Sequence, residues 1–92
     1  MNVEFDPQKS AENVRRRGIG FELFADMDLE HAVSVVDRRR NYGELRLRVL
    51  ALIRGRLYAA VITPRGENIR VISLRRANRR EERVYAKERQ SS

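Results

Sequence analysis

The sequence predicts a small α+β domain built on a single sheet, and three observations lead there. Two helical segments with recognisable stop and start signals occupy the N-terminal third. From His31 the apolar pattern changes to a period of two, and the chain then closes on a basic helical stretch.

The elements follow in order. Asn2 to Phe5 alternates as a short strand. Asp6-Pro7 then starts a helix, because an Asp oxygen accepts from the free N–H groups of the first turn and proline suits the first helical position. This helix is expected to reach Arg17, with Gly18 as its C-terminal stop. A second short helix is expected from Phe21 to Asp26, where Phe21, Phe24 and Ala25 make one apolar face; the two aromatics are assigned to the core and not to base stacking. Ala32 to Asp37 reads as a strand, and Arg38 to Gly43 as a loop. Along Leu45 to Arg54, the residues Leu45, Leu47, Val49, Ala51 and Ile53 face one way, with Arg46, Arg48 and Arg54 opposite. Gly55 turns the chain into a strand from Arg56 to Thr63, followed by a longer hairpin loop, Pro64 to Asn68. The last strand runs from Asn68 to Leu74. Ile69 and Val71 fall on one side of it and Ile72 and Leu74 on the other, the pattern of a central strand buried on both faces. Asn78 and Glu81 have the spacing of a capping box, so the final helix begins there and extends to about Glu88. The expected order is β-α-α-β-β-β-β-α with an antiparallel sheet, in one domain covering residues 1–92.

Composition narrows the function. A chain of 92 residues buries only ~60–65 % of its unfolded surface, so the core is small. The sequence holds no cysteine, which removes disulfides, thiol nucleophiles and thiolate metal sites. MNVEFDPQ carries acids where a secretory leader needs basic and then apolar residues, and no stretch approaches a membrane span; a soluble, cytoplasmic protein is expected. Charge is the most informative property. Residues 1–37 hold four basic and eight acidic residues, net −4, whereas residues 38–92 hold sixteen and five, net +11. Eighteen of the twenty basic residues are arginine, whose planar fork matches phosphate oxygens. A polyanion such as nucleic acid is therefore the expected partner. An acidic protein docking on the same face accounts for the charge as well.

Three stretches carry a family resemblance: FDPQKSAENVRRRGIGF (residues 5–21), YGELRLRVLALIRGRL (42–57) and IRVISLRRANRREERVY (69–85). The first keeps an order of aromatic, Asp, Lys, Asn, basic-Gly and Phe. The second places Glu44 and Arg46 in a Gly-Glu-x-Arg arrangement, and the third runs an Ile-Ser-x-Arg strand end into a helix bearing Arg-Glu and an aromatic. Together they resemble the BrnT toxins of type II toxin–antitoxin systems. The resemblance implies a RelE-like fold and a bacterial endoribonuclease inhibited by a ribbon-helix-helix antitoxin of the BrnA type. That antitoxin would supply the contact with operator DNA. Leu74 departs from the pattern, since a smaller residue is commoner after the serine, and a packing adjustment is expected there.

The chemistry open to such a chain is restricted. A single histidine, His31, excludes a two-histidine acid–base mechanism within one subunit, and the carboxylates show no clustered ligand spacing beyond Asp26-x-Asp28-x-Glu30, so no metal or other cofactor is expected. What remains is cleavage driven by electrostatics: attack of the RNA 2′-hydroxyl on the adjacent phosphorus, with cations stabilising charge on the phosphoryl oxygens. Arg75, at the end of a strand, is the first candidate for that cation, with Arg70 and Arg46 orienting the phosphate. For proton transfer the candidates are Glu81, Glu44 and Tyr85. Each has a structural alternative: Glu81 as a cap, Glu44 as the ion partner of Arg46, and Tyr85 as an anchor for the helix. Lys9, Arg76, Arg79 and Arg80 are candidates for the RNA backbone, along with Arg46. A non-catalytic basic module that binds nucleic acid uses the same arginines.

Overall fold

The computed structural model describes residues 2–90. Strand β1 (Val3–Phe5) leads into helix α1 (Pro7–Arg17), two 3₁₀ turns (Phe21–Asp26 and Leu29–His31), β2 (Val33–Val36), β3 (Leu47–Ile53), β4 (Arg56–Arg65), β5 (Asn68–Arg76) and helix α2 (Arg79–Gln90). The five strands form one sheet in the order β1-β5-β4-β3-β2.

The expected cap signals operate. Asp6 accepts from the Gln8 amide at 2.9 Å. Gly18, at φ 72°, sends its N–H back to the Val14 carbonyl at 2.8 Å. At α2, Asn78 Oδ1 accepts from the Glu81 amide at 2.9 Å while Glu81 Oε1 accepts from the Asn78 amide at 3.0 Å, the reciprocal pair of a capping box. Asp6→Ala is expected to lower stability by about 1 kcal/mol, measurable as a lower urea midpoint with an unchanged slope.

Four expectations are corrected. The sheet is mixed and not antiparallel, because β1 pairs parallel to β5 through Val3–Ile69, Glu4–Arg70 and Phe5–Val71; α1 and its sequel carry the chain away between them, so β1 and β5 meet without a hairpin to reverse them. The second N-terminal helix is a 3₁₀ helix and a further 3₁₀ turn follows it, which adds one element to the expected order. The hairpin after Thr63 has only two turn residues, Gly66 (φ 61°) and Glu67, since Pro64 and Arg65 continue the pairing with Ile69 and Asn68. Pro64 is tolerated because β4 has by then passed its last partner on β3, Ile62–Leu47.

The fourth correction concerns β5. It lies inside the sheet, between β1 and β4, but Val71 and Leu74 share one face instead of pointing apart. Val61 pairs with Ser73 and the next residue, Ile62, pairs with Val71, so Ile72 is an extra residue that resets the alternation. Opposite Val71 and Leu74 sit Ile62 and Ala60, and the small Ala60 leaves room for Leu74, which is 1 % exposed. This face carries the core: Val49, Ala51 and Ile53 of β3 close on Phe21 and Phe24 of the first 3₁₀ helix. The two aromatics are 3 % and 1 % exposed, as the apolar spacing implied. The bulge also determines what the other face carries. Ser73 and Arg75 are turned onto it, alongside Ala59 and Val61 of β4.

Candidate active site

The second face of the sheet is covered only in part. Helix α2 has no buried residue and turns just Glu81 and Tyr85, one helical turn apart, into half-buried positions. A cleft of about 440 Å³ therefore stays open between α2 and the strands. Its floor is apolar, with Val33, Val35, Leu50 and Val61. Around it stand four arginines, Arg39, Arg48, Arg75 and Arg80, together with Glu81.

Arg75 and Glu81 make the central contact. The Arg75 Nη1 and Nη2 atoms each donate to one Glu81 oxygen at 2.8 Å, a bidentate fork. Nη1 also reaches the Arg76 carbonyl at 3.3 Å. The hydrogen bonds from Arg75, the Asn78 amide and the charge of Arg48 together hold the Glu81 carboxyl below its ordinary value. Glu81 in turn raises Arg75, against partial burial and the nearby charge of Arg39. At neutral pH the pair is an ionised carboxylate seated on a guanidinium, with further guanidiniums around it. Such a site can receive a phosphodiester on Arg75 in place of the carboxylate, and Glu81 can then accept a proton.

The position of Arg39 depends on a buried carboxylate. The Asp37 side chain is 1 % exposed. It accepts from Arg39 Nε at 2.8 Å, Arg39 Nη2 at 2.7 Å and the Arg39 amide at 3.2 Å, and from the Tyr42 hydroxyl at 3.1 Å. These donors, Arg39 first, hold Asp37 far below the usual carboxylate range. Tyr42 in turn lies under Arg46, whose guanidinium carbon is 4.2 Å from the ring centre. One buried acid thus fixes Arg39 and Tyr42, and through the Tyr42 ring Arg46, in the loop between β2 and β3.

The residues singled out in the sequence are dispersed. Arg75, Glu81 and Arg80 meet in the cleft. Arg70 lies on the same face but beyond the bulge, paired with Glu4 at 3.5 Å. Glu44 binds Arg46 at 3.0 Å and Arg65 at 3.6 Å, away from Arg75. The Tyr85 hydroxyl donates to the His31 carbonyl at 3.3 Å and its ring lines a separate hollow with Leu57 and Arg76, the arrangement of an anchor. Arg79 is exposed at the start of α2, and Lys9 lines a different cleft beside α1. Arg48 was not singled out, and Arg39 entered only within the run Arg38-Arg39-Arg40, as a solvated loop or an extension of the RNA-binding footprint. The alternation of β3 gave a signal for Arg48, whereas nothing in the run Arg38-Arg39-Arg40 separates its members. In the acidic run, Asp28, Glu30 and His31 offer atoms within 4.8 Å of one another, while Asp26 pairs with Arg54 at 2.7 Å.

A family model described as "Ribonuclease toxin, BrnT, of type II toxin-antitoxin system" matches residues 5–81. The chain belongs to the BrnT family. The match runs from the end of β1 into the first turn of α2, so it takes in both Arg75 and Glu81 and stops short of Tyr85. Membership makes the chain the toxin half of a type II pair, whose other half is an antitoxin. No curated protein and no solved structure matches this BrnT chain. Among its described residues, no helix is long and apolar enough to cross a membrane.

Proposed function

We propose that this BrnT toxin is an endoribonuclease that works by arginine electrostatics, needs no metal ion, and leaves a 2′,3′-cyclic phosphate. The observation that carries the reading is the Arg75–Glu81 fork inside a cleft ringed by Arg39, Arg48 and Arg80. The scissile phosphate takes the place of the Glu81 carboxylate on Arg75. The 2′-oxygen then attacks phosphorus, its proton passes to Glu81, and the bond to the 5′-oxygen breaks as water protonates that oxygen. Arg75 stabilises the charge that builds on the phosphoryl oxygens, in a site already arranged for it. Arg48, Arg39 and Arg80 hold the flanking backbone, and the apolar floor gives a base a dry surface to rest on. Arg70, Glu44 and Arg46 belong to the outer electrostatic field in this reading, and Tyr85 holds α2 in place.

The fold is proposed to be RelE-like, on the resemblance of the three sequence stretches. The antitoxin is proposed to be a BrnA-like ribbon-helix-helix protein that covers the basic face and alone touches operator DNA, with the toxin acting in the cytoplasm where its RNA is. The test is cleavage of an end-labelled RNA in excess EDTA. Cleavage products with cyclic-phosphate ends are expected. Salt-sensitive binding with no cleavage, or cleavage only after a divalent ion is restored, overturns the reading.

A further inference from the structure

We propose that the cleft between α1 and the open edge of β5 is a second phosphate subsite, which holds RNA backbone next to the cleaved bond. The proposal rests on the reading of the first cleft as the RNA-cleaving site.

Helix α1 carries a polar stripe beside β5, and all of it but the half-buried Asn13 is exposed. Lys9, Glu12, Asn13, Arg16 and Arg17 fall at i, i+3, i+4, i+7 and i+8, the spacing that in a globular protein makes an apolar stripe facing the core. Here the stripe is polar, and it lines a cleft of about 330 Å³ against Ile72 to Arg75 of β5. The single buried residue of the helix is Ser10, whose hydroxyl accepts from the Phe21 amide at 2.8 Å. Asn13 adds two tethers, donating to the carbonyls of Ile19 and Leu74, both at 2.9 Å. Polar anchors at two points hold the helix in place and leave the groove beside it unfilled.

The groove is continuous with the candidate active site. β1 pairs with β5 only as far as Val71, and the bulge at Ile72 follows at once, so Ser73 to Arg76 have no strand on that side. Ser73 and Arg75 line both clefts. A chain leaving Arg75 in one direction therefore enters the α1 cleft directly.

Charge identifies the occupant. Residues 1–37 are acidic overall, yet all four of their basic residues lie on α1, and three of those four, Lys9, Arg16 and Arg17, line this cleft. Its one carboxylate, Glu12, is tied to Arg16 at 3.4 Å. The helix dipole favours arginines in the last turn, so it accounts for Arg15, Arg16 and Arg17. It disfavours Lys9, which stands in the first turn on the same stripe. Lys9 and Arg16 lie seven positions apart, ~10 Å along the helix, room for more than one phosphate.

The test is the salt dependence of binding to a 20-nucleotide 2′-O-methyl RNA, which has no free 2′-hydroxyl and cannot be cleaved by this route. Each phosphate contact on a single strand contributes about 0.7 to the slope of log affinity against log salt. The double variant Arg16→Ala/Arg17→Ala is expected to lower the slope by about 1.4, with Arg16→Lys/Arg17→Lys restoring it. Arg15→Ala, on the same last turn but outside the cleft, is expected to keep the wild-type slope. Equal slopes for wild type and the double alanine variant overturn the proposal, and so does an equal drop in Arg15→Ala. Wild-type protein that binds but does not cleave ordinary RNA would sink the cleavage reading instead, and it leaves this comparison intact.

Discussion

Arg75→Ala is expected to reduce single-turnover RNA cleavage by about 10²–10³-fold, the cost of removing one preorganised donor from a developing oxyanion. The fold should survive. The Arg75 side chain is 38 % exposed, and an ion pair at that exposure adds no more than about 1 kcal/mol to stability. Glu81 also keeps its bond from the Asn78 amide, so the start of α2 stays capped. Arg75→Lys should recover little activity, because a point charge cannot replace a planar fork with two parallel donors. A second signature separates catalysis from packing. Arg75 is the main cause of the low Glu81 carboxyl value, so its loss lets that value rise. If Glu81 must be ionised to accept the proton, the acid limb of the residual pH profile moves to higher pH in Arg75→Ala. Activity within about threefold of wild type, or a melting point that collapses along with activity, would remove Arg75 from the centre of the mechanism.

The parts of this protein that could be read from its sequence are those decided by neighbours in the chain. Asp6-Pro7, Gly18 and the Asn78–Glu81 pair set helix ends through hydrogen bonds spanning two to four residues, and all three act as expected. The core face of β3 followed from simple alternation. Sequence reasoning failed where a distant partner decides the outcome. A bulge at Ile72 exists only relative to β4, and by shifting the alternation it moved Leu74 into the core and turned Ser73 and Arg75 to the cleft. The parallel pairing of β1 likewise depends on β5, more than sixty residues away. In the candidate site, Arg75 and Glu81 were singled out because one ends a strand and the other caps the next helix, and the structure brings the two together. Tyr85 and Glu81 share a helix face, but α2 lies along the sheet so that they enter different hollows. Arg39 could not be told from Arg38 and Arg40, since what distinguishes it is its grip on the buried Asp37 carboxylate.

That carboxylate gives the other large effect. Asp37→Ala is expected to cut cleavage about 10²-fold although Asp37 is proposed to touch no substrate, because a displaced positioning group costs about this much. Its loss frees Arg39 from three hydrogen bonds and Tyr42 from one, and with Tyr42 goes the ring under Arg46. Asp37→Asn should be nearly as damaging. An amide keeps the volume but gives up the negative charge that faces Arg39, and it turns an N–H₂ group toward the N–H donors of Arg39. The pH dependence follows from the same contacts. Asp37 and Glu81 both have folded values below their unfolded ones. Such a group stabilises the fold fully above the ordinary carboxylate value of ~4 and loses that contribution as pH falls through the depressed folded value. Wild type is therefore expected to lose stability on the acid side, and Asp37→Ala to show a shallower acid slope together with its lower midpoint. Urea titrations from pH 7 to pH 3 would show both. Parallel curves for the two proteins would mean that the folded loop does not hold the Asp37 carboxyl below its unfolded value, and the account of how Arg39 is held over the cleft would fall with it.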